Sequence, residues 1–239
     1  MASNTTYLIT GANRGIAPIT PIFDFHFRKS RVRFRSPSPS PSPSFSTQLI
    51  RSNIGIGSGL TRSLLLRPNT TVIATIRTAE TSTEDLTGLA VGQGSKLLIV
   101  PFTLSLSSLA TPTASLLAVI AENRIKKIDN LILSAGTGSS FRPILSTTMA
   151  EMQEHFEANT LLPIHLFQTL FPLLSPTVKV ILISSSLGSI AGMEGAAPSL
   201  AYGVSKAGAN YFVRKVHFES EGIVAVAVHP GYVSPLFLK

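Results

Sequence analysis

The chain has 239 residues, 44% of them hydrophobic, and contains no Cys. That length is enough for one sizeable α/β core, while the missing thiols exclude disulfides and thiolate chemistry and suit a reducing compartment. A net charge of +8 hints at nucleic acid, but residues 17–56 carry Arg28, Lys29, Arg31, Arg33, Arg35 and Arg51 against Asp24, five of the eight, so the basicity belongs to one segment.

The first residues lack the basic and apolar regions of a signal peptide. No run of about 18 apolar residues is free of proline and charge, so a membrane partner is not expected and a cytoplasmic location is. Residues 6–10 predict a short buried strand running into Gly11-Ala12-Asn13-Arg14-Gly15-Ile16. In a dinucleotide fold such a turn lets backbone approach a pyrophosphate, and the next helix offers its N-terminal amides. That helix cannot start well after Ile16, because Pro18 and Pro21 follow. A basic, Phe-containing stretch and an alternating Ser-Pro run over 36–44 come next. The run cannot pack a core and reads as an extended, disordered tract.

The interrupted pattern resumes at Gly57-Ser58-Gly59-Leu60. Joining Ile16 to Gly57 restores one glycine motif followed by an amphipathic helix. Residues 17–56 therefore read as a 40-residue insertion, although Gly55-Ile56 repeats Gly15-Ile16 and the junction can shift by up to two residues. Alternating Ser and Pro codons are pyrimidine-rich, which fits translation of a retained intron; a functional basic arm is the competing reading.

Residues 70–76 predict the second strand, ending at Arg77. A basic residue there suits a 2′-phosphate, where a carboxylate would suit a free ribose. Arg77 and Arg14 thus argue for NADP(H), with a plain solvated charge as the alternative for Arg77. Strands are also expected at 97–102, 128–134, 178–183 and 223–228, and helices at 109–123, 149–174 and 200–218. The fourth strand leads into Ser134-Ala135-Gly136. Pro163 interrupts the long helix, and because proline has no N–H the carbonyl of Asn159 loses its helical partner. The fifth strand ends in Ser184-Ser185-Ser186, and the sixth leads to Pro230-Gly231.

Tyr202 and Lys206 are four apart on the last helix and so share a face. A neighbouring ammonium would draw the tyrosine proton affinity down toward the working range. Tyr-x-x-x-Lys alone is equally a half-buried Tyr with a surface Lys. The five His show no ligand spacing with carboxylates, so no metal is expected, and His155 and His165 read as packing or surface residues.

Taken together, Thr10 to Ile16, Asn159, the strand-end Ser185, Tyr202/Lys206 and Pro230-Gly231 stand in the order of the short-chain dehydrogenase/reductase family, which this chain resembles over most of its length. Within the family the resemblance is to fungal ketoreductases of the norsolorinic acid ketoreductase type. It implies a doubly wound, Rossmann-like parallel sheet formed by residues 1–16 and 57–239. It implies reduction of a ketone or aldehyde by NADP(H), with Tyr202 as proton donor, Ser185 orienting the oxygen, Lys206 acting on Tyr202 and the nicotinamide ribose, and Asn159 binding a relay water. Ser186 and Ser189 are alternatives to Ser185. Cofactor contacts are implied for Gly11, Asn13, Arg14, Gly15, Ile16, Gly57, Arg77, Ser134, Ala135, Gly136, Tyr202, Lys206, Pro230 and Gly231.

The chain departs from the family pattern in places. Thr103 replaces the acidic residue beside the adenine, and Ser134 replaces the usual Asn. The sequence also reads as C-terminally short, with Pro235 near the place of a nicotinamide-contacting threonine and the sixth strand as an exposed edge. The expected partner is a small carbonyl or alcohol substrate. A homodimer or homotetramer through the apolar 161–174 stretch is compatible with the pattern. Two rivals follow from the insertion: a catalytically impaired isoform, and a protein that binds RNA or acidic partners through its basic arm. No nucleic-acid module is recognisable in that arm.

Overall fold

The computed structural model describes residues 4–11, 55–103, 110–192 and 197–231. Within them six strands form one sheet: β1 (Thr5–Ile9), β2 (Thr70–Ile76), β3 (Lys96–Pro101), β4 (Ile128–Leu133), β5 (Leu174–Ile183) and β6 (Val224–Val228). Their order is β3-β2-β1-β4-β5-β6 and every pairing is parallel. This is a doubly wound α/β sheet, whose strand order reverses direction between β1 and β4. Most residues of 17–56, and Pro235, lie outside the described residues, so the insertion is not traced structurally.

The strands form because their residues suit burial on two faces. All seven residues of β2, Thr-Thr-Val-Ile-Ala-Thr-Ile, are buried, as a β-branched central strand between helical layers should be. One face packs Leu8, Ile73, Leu131, Val180 and Leu182 against α3 (Ala110–Glu122), α5 (Leu162–Leu170) and α6 (Leu200–Glu219) through Leu116, Leu166, Phe167 and Phe212. The other packs Ile9, Val72 and Ile132 against Leu64 and Leu65 of α1 (Ile56–Leu65). A short α2 (Glu84–Thr87) closes that face near β2 through Leu86. No helix of the described residues is long and apolar enough to cross a membrane.

Two elements differ from the sequence expectation. β5 begins at Leu174 rather than at 178, because Ile128 pairs with Leu174 across a register shift that accommodates Pro176. The single helix over 149–174 is instead α4 (Met149–Phe156), a wide π turn (Glu157–Leu161) and α5. Pro163 sits in the first turn of α5, where a missing N–H costs little. The apolar residues of 161–174 that suggested a subunit contact, Leu162, Leu166, Phe167 and Leu170, are buried in the chain's own core.

Candidate active site

The described candidate residues lie at the C-terminal edge of the parallel strands, where open α/β sheets take their ligands. At the end of β1, Gly11 has φ +68°, and a Cβ there would lie 2.9 Å from the Ala135 Cα. Only glycine permits both the left-handed backbone and that approach. Its N–H donates to Thr75 Oγ1 at 3.2 Å. The buried Thr10 hydroxyl accepts from the N–H groups of Ser134 and Ala135 at 2.9 and 3.0 Å. Thr10 therefore ties the first turn to the fourth, a clasp that the motif alone did not identify.

Helix α1 starts at Ile56, with Gly55 as its N-cap and no side-chain cap. Sequence reasoning placed the restart at Gly57. The structure puts the preceding Gly-Ile pair at the helix entry, and Gly57 is buried in the first turn, its carbonyl accepting from the Thr61 hydroxyl at 2.8 Å. A helix leaves its first amides without intrahelical partners, which suits an anion. The glycine turn, the uncapped helix start and the close β1–β4 edge together fit a pyrophosphate. Asn13, Arg14, Gly15 and Ile16 lie outside the described residues. Arg77 follows β2, exposed, and its carbonyl accepts from Thr103 Oγ1 at 3.2 Å. Pro230 and Gly231 follow β6 at the outer end of the same edge, Gly231 with φ +75°.

The chemical cluster forms where β4, β5, the π turn and α6 meet. Asn159 is 1% exposed. Its Oδ1 accepts from the N–H of Thr137 at 2.8 Å, and its Nδ2 donates to the Thr137 carbonyl at 2.9 Å and the Ser205 hydroxyl at 2.8 Å. Ser205 in turn donates to the carbonyl of Tyr202 at 2.7 Å. The amide thus fixes the loop after β4 against the first turns of α6. A Cβ on Gly136 would sit 2.5 Å from Asn159 Oδ1, so the glycine is required for this clamp to close.

Lys206, 6% exposed, donates from Nζ to the carbonyl of Ile183 at 2.9 Å and stands 5.6 Å from the Tyr202 ring centroid. Burial alone lowers its pKa to about 8. The Tyr202 phenol is pushed up from its ordinary value by burial, against a smaller downward pull from a side-chain hydrogen bond with Ser185. The expectation that Lys206 lowers the tyrosine is corrected accordingly: the ammonium faces the β5 carbonyl, and burial sets the direction at Tyr202. Ser185 caps the short 3₁₀ turn Ser186–Gly188, accepting from the Leu187 N–H at 3.3 Å. Ser189 instead receives the Gly192 N–H at 3.0 Å. Ser184 donates to Asn210 Oδ1 at 2.6 Å, while Asn210 Nδ2 donates to the Gly188 carbonyl at 3.1 Å. Those bonds hold the serine turn against α6.

His155, read from sequence as a packing or surface residue, is fully buried, and its ring stands edge-on 6.5 Å from that of Tyr202. No local signal in the sequence marks it, because its neighbour Tyr202 is brought to it only by the packing of α6.

Comparison with known proteins follows this geometry. The family model described as short chain dehydrogenase matches residues 52–238. The norsolorinic acid ketoreductase of Aspergillus parasiticus is 34% identical over 184 residues, covering 75% of this chain and 67% of that protein. A short chain dehydrogenase of Penicillium aethiopicum is 34% identical over 186 residues, covering 76% and 72%. Among solved structures, the Sniffer protein of Caenorhabditis elegans superposes with a TM-score of 0.66 at 25% identity, over 98% of this chain and 86% of that one. The NADPH-bound carbonyl reductase from chicken fatty liver superposes with a TM-score of 0.65 at 23% identity, over 96% and 77%.

Proposed function

Because this chain belongs to the short chain dehydrogenase family, we propose that it is an NADP(H)-dependent carbonyl reductase in which Tyr202 gives the proton to a ketone or aldehyde oxygen. The observation that carries the reading is the meeting of Ser185, Tyr202 and Lys206 at the end of β5, with the Ser185 side chain drawing the Tyr202 phenol down against its burial and Lys206 almost fully buried beside its ring. When bound, the nicotinamide supplies the hydride that such chemistry needs.

The residues of the chain do the rest. Ser185 offers a hydroxyl to the substrate oxygen, fixing it next to the phenol. Tyr202 keeps its proton at neutral pH because burial disfavours the phenolate, so it meets the carbonyl as an acid. Lys206, with a pKa of about 8, exchanges protons readily near neutrality. The Asn159 carbonyl, which the proline at 163 cannot serve as a donor, is the acceptor on the path from Lys206 to solvent. Arg77 would give the phosphate preference, and Gly11, Gly55, Ile56 and Gly57 would hold the pyrophosphate.

A second reading is favoured by one fact: residues 12–54 intervene between Gly11 and Gly55, the two sides of one phosphate turn. In that reading the catalytic set persists while cofactor binding is weak. Thermal stabilisation by NADPH, together with NADPH consumption over a ketone panel, tests both. A shift and turnover in the full chain support the reductase. A shift found only after removal of residues 17–56 supports the impaired form. No shift in either overturns the cofactor assignment.

A further inference from the structure

We propose that Phe141 is a specificity-determining residue, whose ring beside Tyr202 selects ketones that carry the carbonyl on a flat aromatic ring. The proposal rests on the reductase reading above. Phe141 lies in the loop between β4 and α4, and its ring centroid is 5.8 Å from that of Tyr202, tilted by 46°. It is 55% exposed, so a face remains open to a ligand at the proton donor. His155 takes another side of the same phenol ring edge-on. A Cβ on Gly138 would lie 3.4 Å from the Tyr202 ring and 3.8 Å from that of Phe141, so backbone closes the gap between the two rings.

An exposed aromatic on a loop would ordinarily be loose, but this one is tethered on both sides. Before it, the Ser140 hydroxyl donates to Glu151 Oε1 at 2.8 Å, and the Ser140 N–H reaches His155 Nε2 at 3.4 Å. The His155 Nδ1 faces the Glu151 carbonyl at 2.8 Å. A carbonyl only accepts, so Nδ1 carries the proton and Nε2 is left to accept from Ser140. After it, Arg142 Nε pairs with the same Glu151 oxygen at 2.9 Å. Glu151 also closes a capping box with Thr148. Hydrogen bonds from Thr148 and Ser140, with a smaller contribution from Arg142, hold its carboxyl down at about 2, so the tether stays charged at any working pH. The ring is therefore fixed before a ligand arrives, which spares the ligand the cost of ordering it. Offset or edge-to-face contact is what such a fixed ring offers a flat partner.

The test uses the full chain, with and without NADP, and two probes that share a carbon frame: 2-acetylnaphthalene and its fully ring-saturated counterpart. Binding is read by saturation-transfer NMR titration, which does not require turnover. Phe141→Ala is expected to weaken the aromatic ketone about threefold to tenfold and the saturated one by less than about twofold. Phe141→Leu, which keeps apolar bulk but no ring, should resemble the Ala variant, and Phe141→Tyr should retain aromatic binding. Equal losses for both ketones, no loss, full retention by the Leu variant, or no aromatic binding by the unaltered chain would overturn the proposal. An unaltered chain that binds the aromatic ketone as expected but never reduces it overturns the reductase reading and leaves this one standing.

Discussion

The Lys206 ammonium is directed at the carbonyl of Ile183, 2.9 Å away, and lies 5.6 Å from the ring centre of Tyr202. The lysine is thus a buried cation held by a strand-end dipole, and its energetics can be worked out separately from those of the tyrosine.

Burial lowers Lys206 to about 8 from the ordinary lysine value of 10.5. Between those values the unfolded chain binds more protons than the folded one, so stability rises with pH across that window. Below about 8 both states are protonated and the full burial cost is present, on the order of 3 kcal/mol. Lys206→Met removes that cost but strips the Ile183 carbonyl of its donor, losing about 1 kcal/mol. The variant should therefore be more stable than the parent at pH 7, and its stability should no longer climb from pH 8 to 10. Urea unfolding at both pH values checks this, and a less stable variant at pH 7 would contradict it.

Tyr202 should act as an acid throughout the neutral range, since burial raises its pKa above the ordinary tyrosine value. Ketone reduction is expected to stay level in its proton-donation step through neutrality and to decline only beyond the ordinary tyrosine range. Tyr202→Phe should lose about 10²–10⁴-fold in turnover while retaining NADPH-induced thermal stabilisation. Loss of both together would point to a structural role instead.

Asn159 joins three groups, the N–H and carbonyl of half-buried Thr137 and the hydroxyl of buried Ser205, so Asn159→Ala should cost about 3 kcal/mol through the groups left unsatisfied. Asn159→Asp replaces the Nδ2 donor by an acceptor facing the Thr137 carbonyl, and should be no better. Chemical denaturation of both variants is the measurement. A change below about 0.5 kcal/mol, the level of an ordinary surface substitution, would mean the clamp is dispensable.

Arg77 stands exposed where β2 ends, the position proposed above to face a 2′-phosphate. Arg77→Glu is expected to weaken NADPH by roughly tenfold or more and to leave NADH little changed, since one charge-assisted contact contributes about 1.5–3 kcal/mol. Cofactor titrations by thermal shift give the ratio. Equal weakening of both cofactors would place Arg77 away from the 2′-phosphate.

Much of this arrangement is legible in the residues because the sheet needs continuous apolar strands and the turns need particular side chains. β2 is found to the residue, since seven buried β-branched and small residues run between Asn69 and the exposed Arg77. Gly11 and the serines after β5 follow from the demands of tight strand-end turns. What escapes is set by partners distant in sequence. Thr10 matters through amides more than 120 residues away. His155 looks like any helix histidine until α6 brings Tyr202 against it. The direction of the tyrosine shift escapes as well, because spacing gives the nearness of Lys206 but not the burial of the phenol, which sets that direction. The helix start escapes by degeneracy: Gly15-Ile16 and Gly55-Ile56 are the same dipeptide, and only the fold shows the second copy entering α1.

The wide turn between α4 and α5 sets a helical phase. In it the N–H of Leu162 reaches back five residues, to Glu157, instead of four. Each residue of an α-helix advances the face by about 100°, so one extra residue in the turn rotates everything beyond it by roughly that angle. With the extra residue in place, Asn159 can look toward Thr137 and Ser205 while Leu166 and Leu170 look into the sheet. Deleting one residue from 157–161 while keeping Asn159, and closing the turn to a regular helix, would take back that same 100° and leave α4 and α5 in phase. A one-residue shortening should consequently be tolerated here better than in the regular helices on either side, where the same deletion swings every later residue off its face.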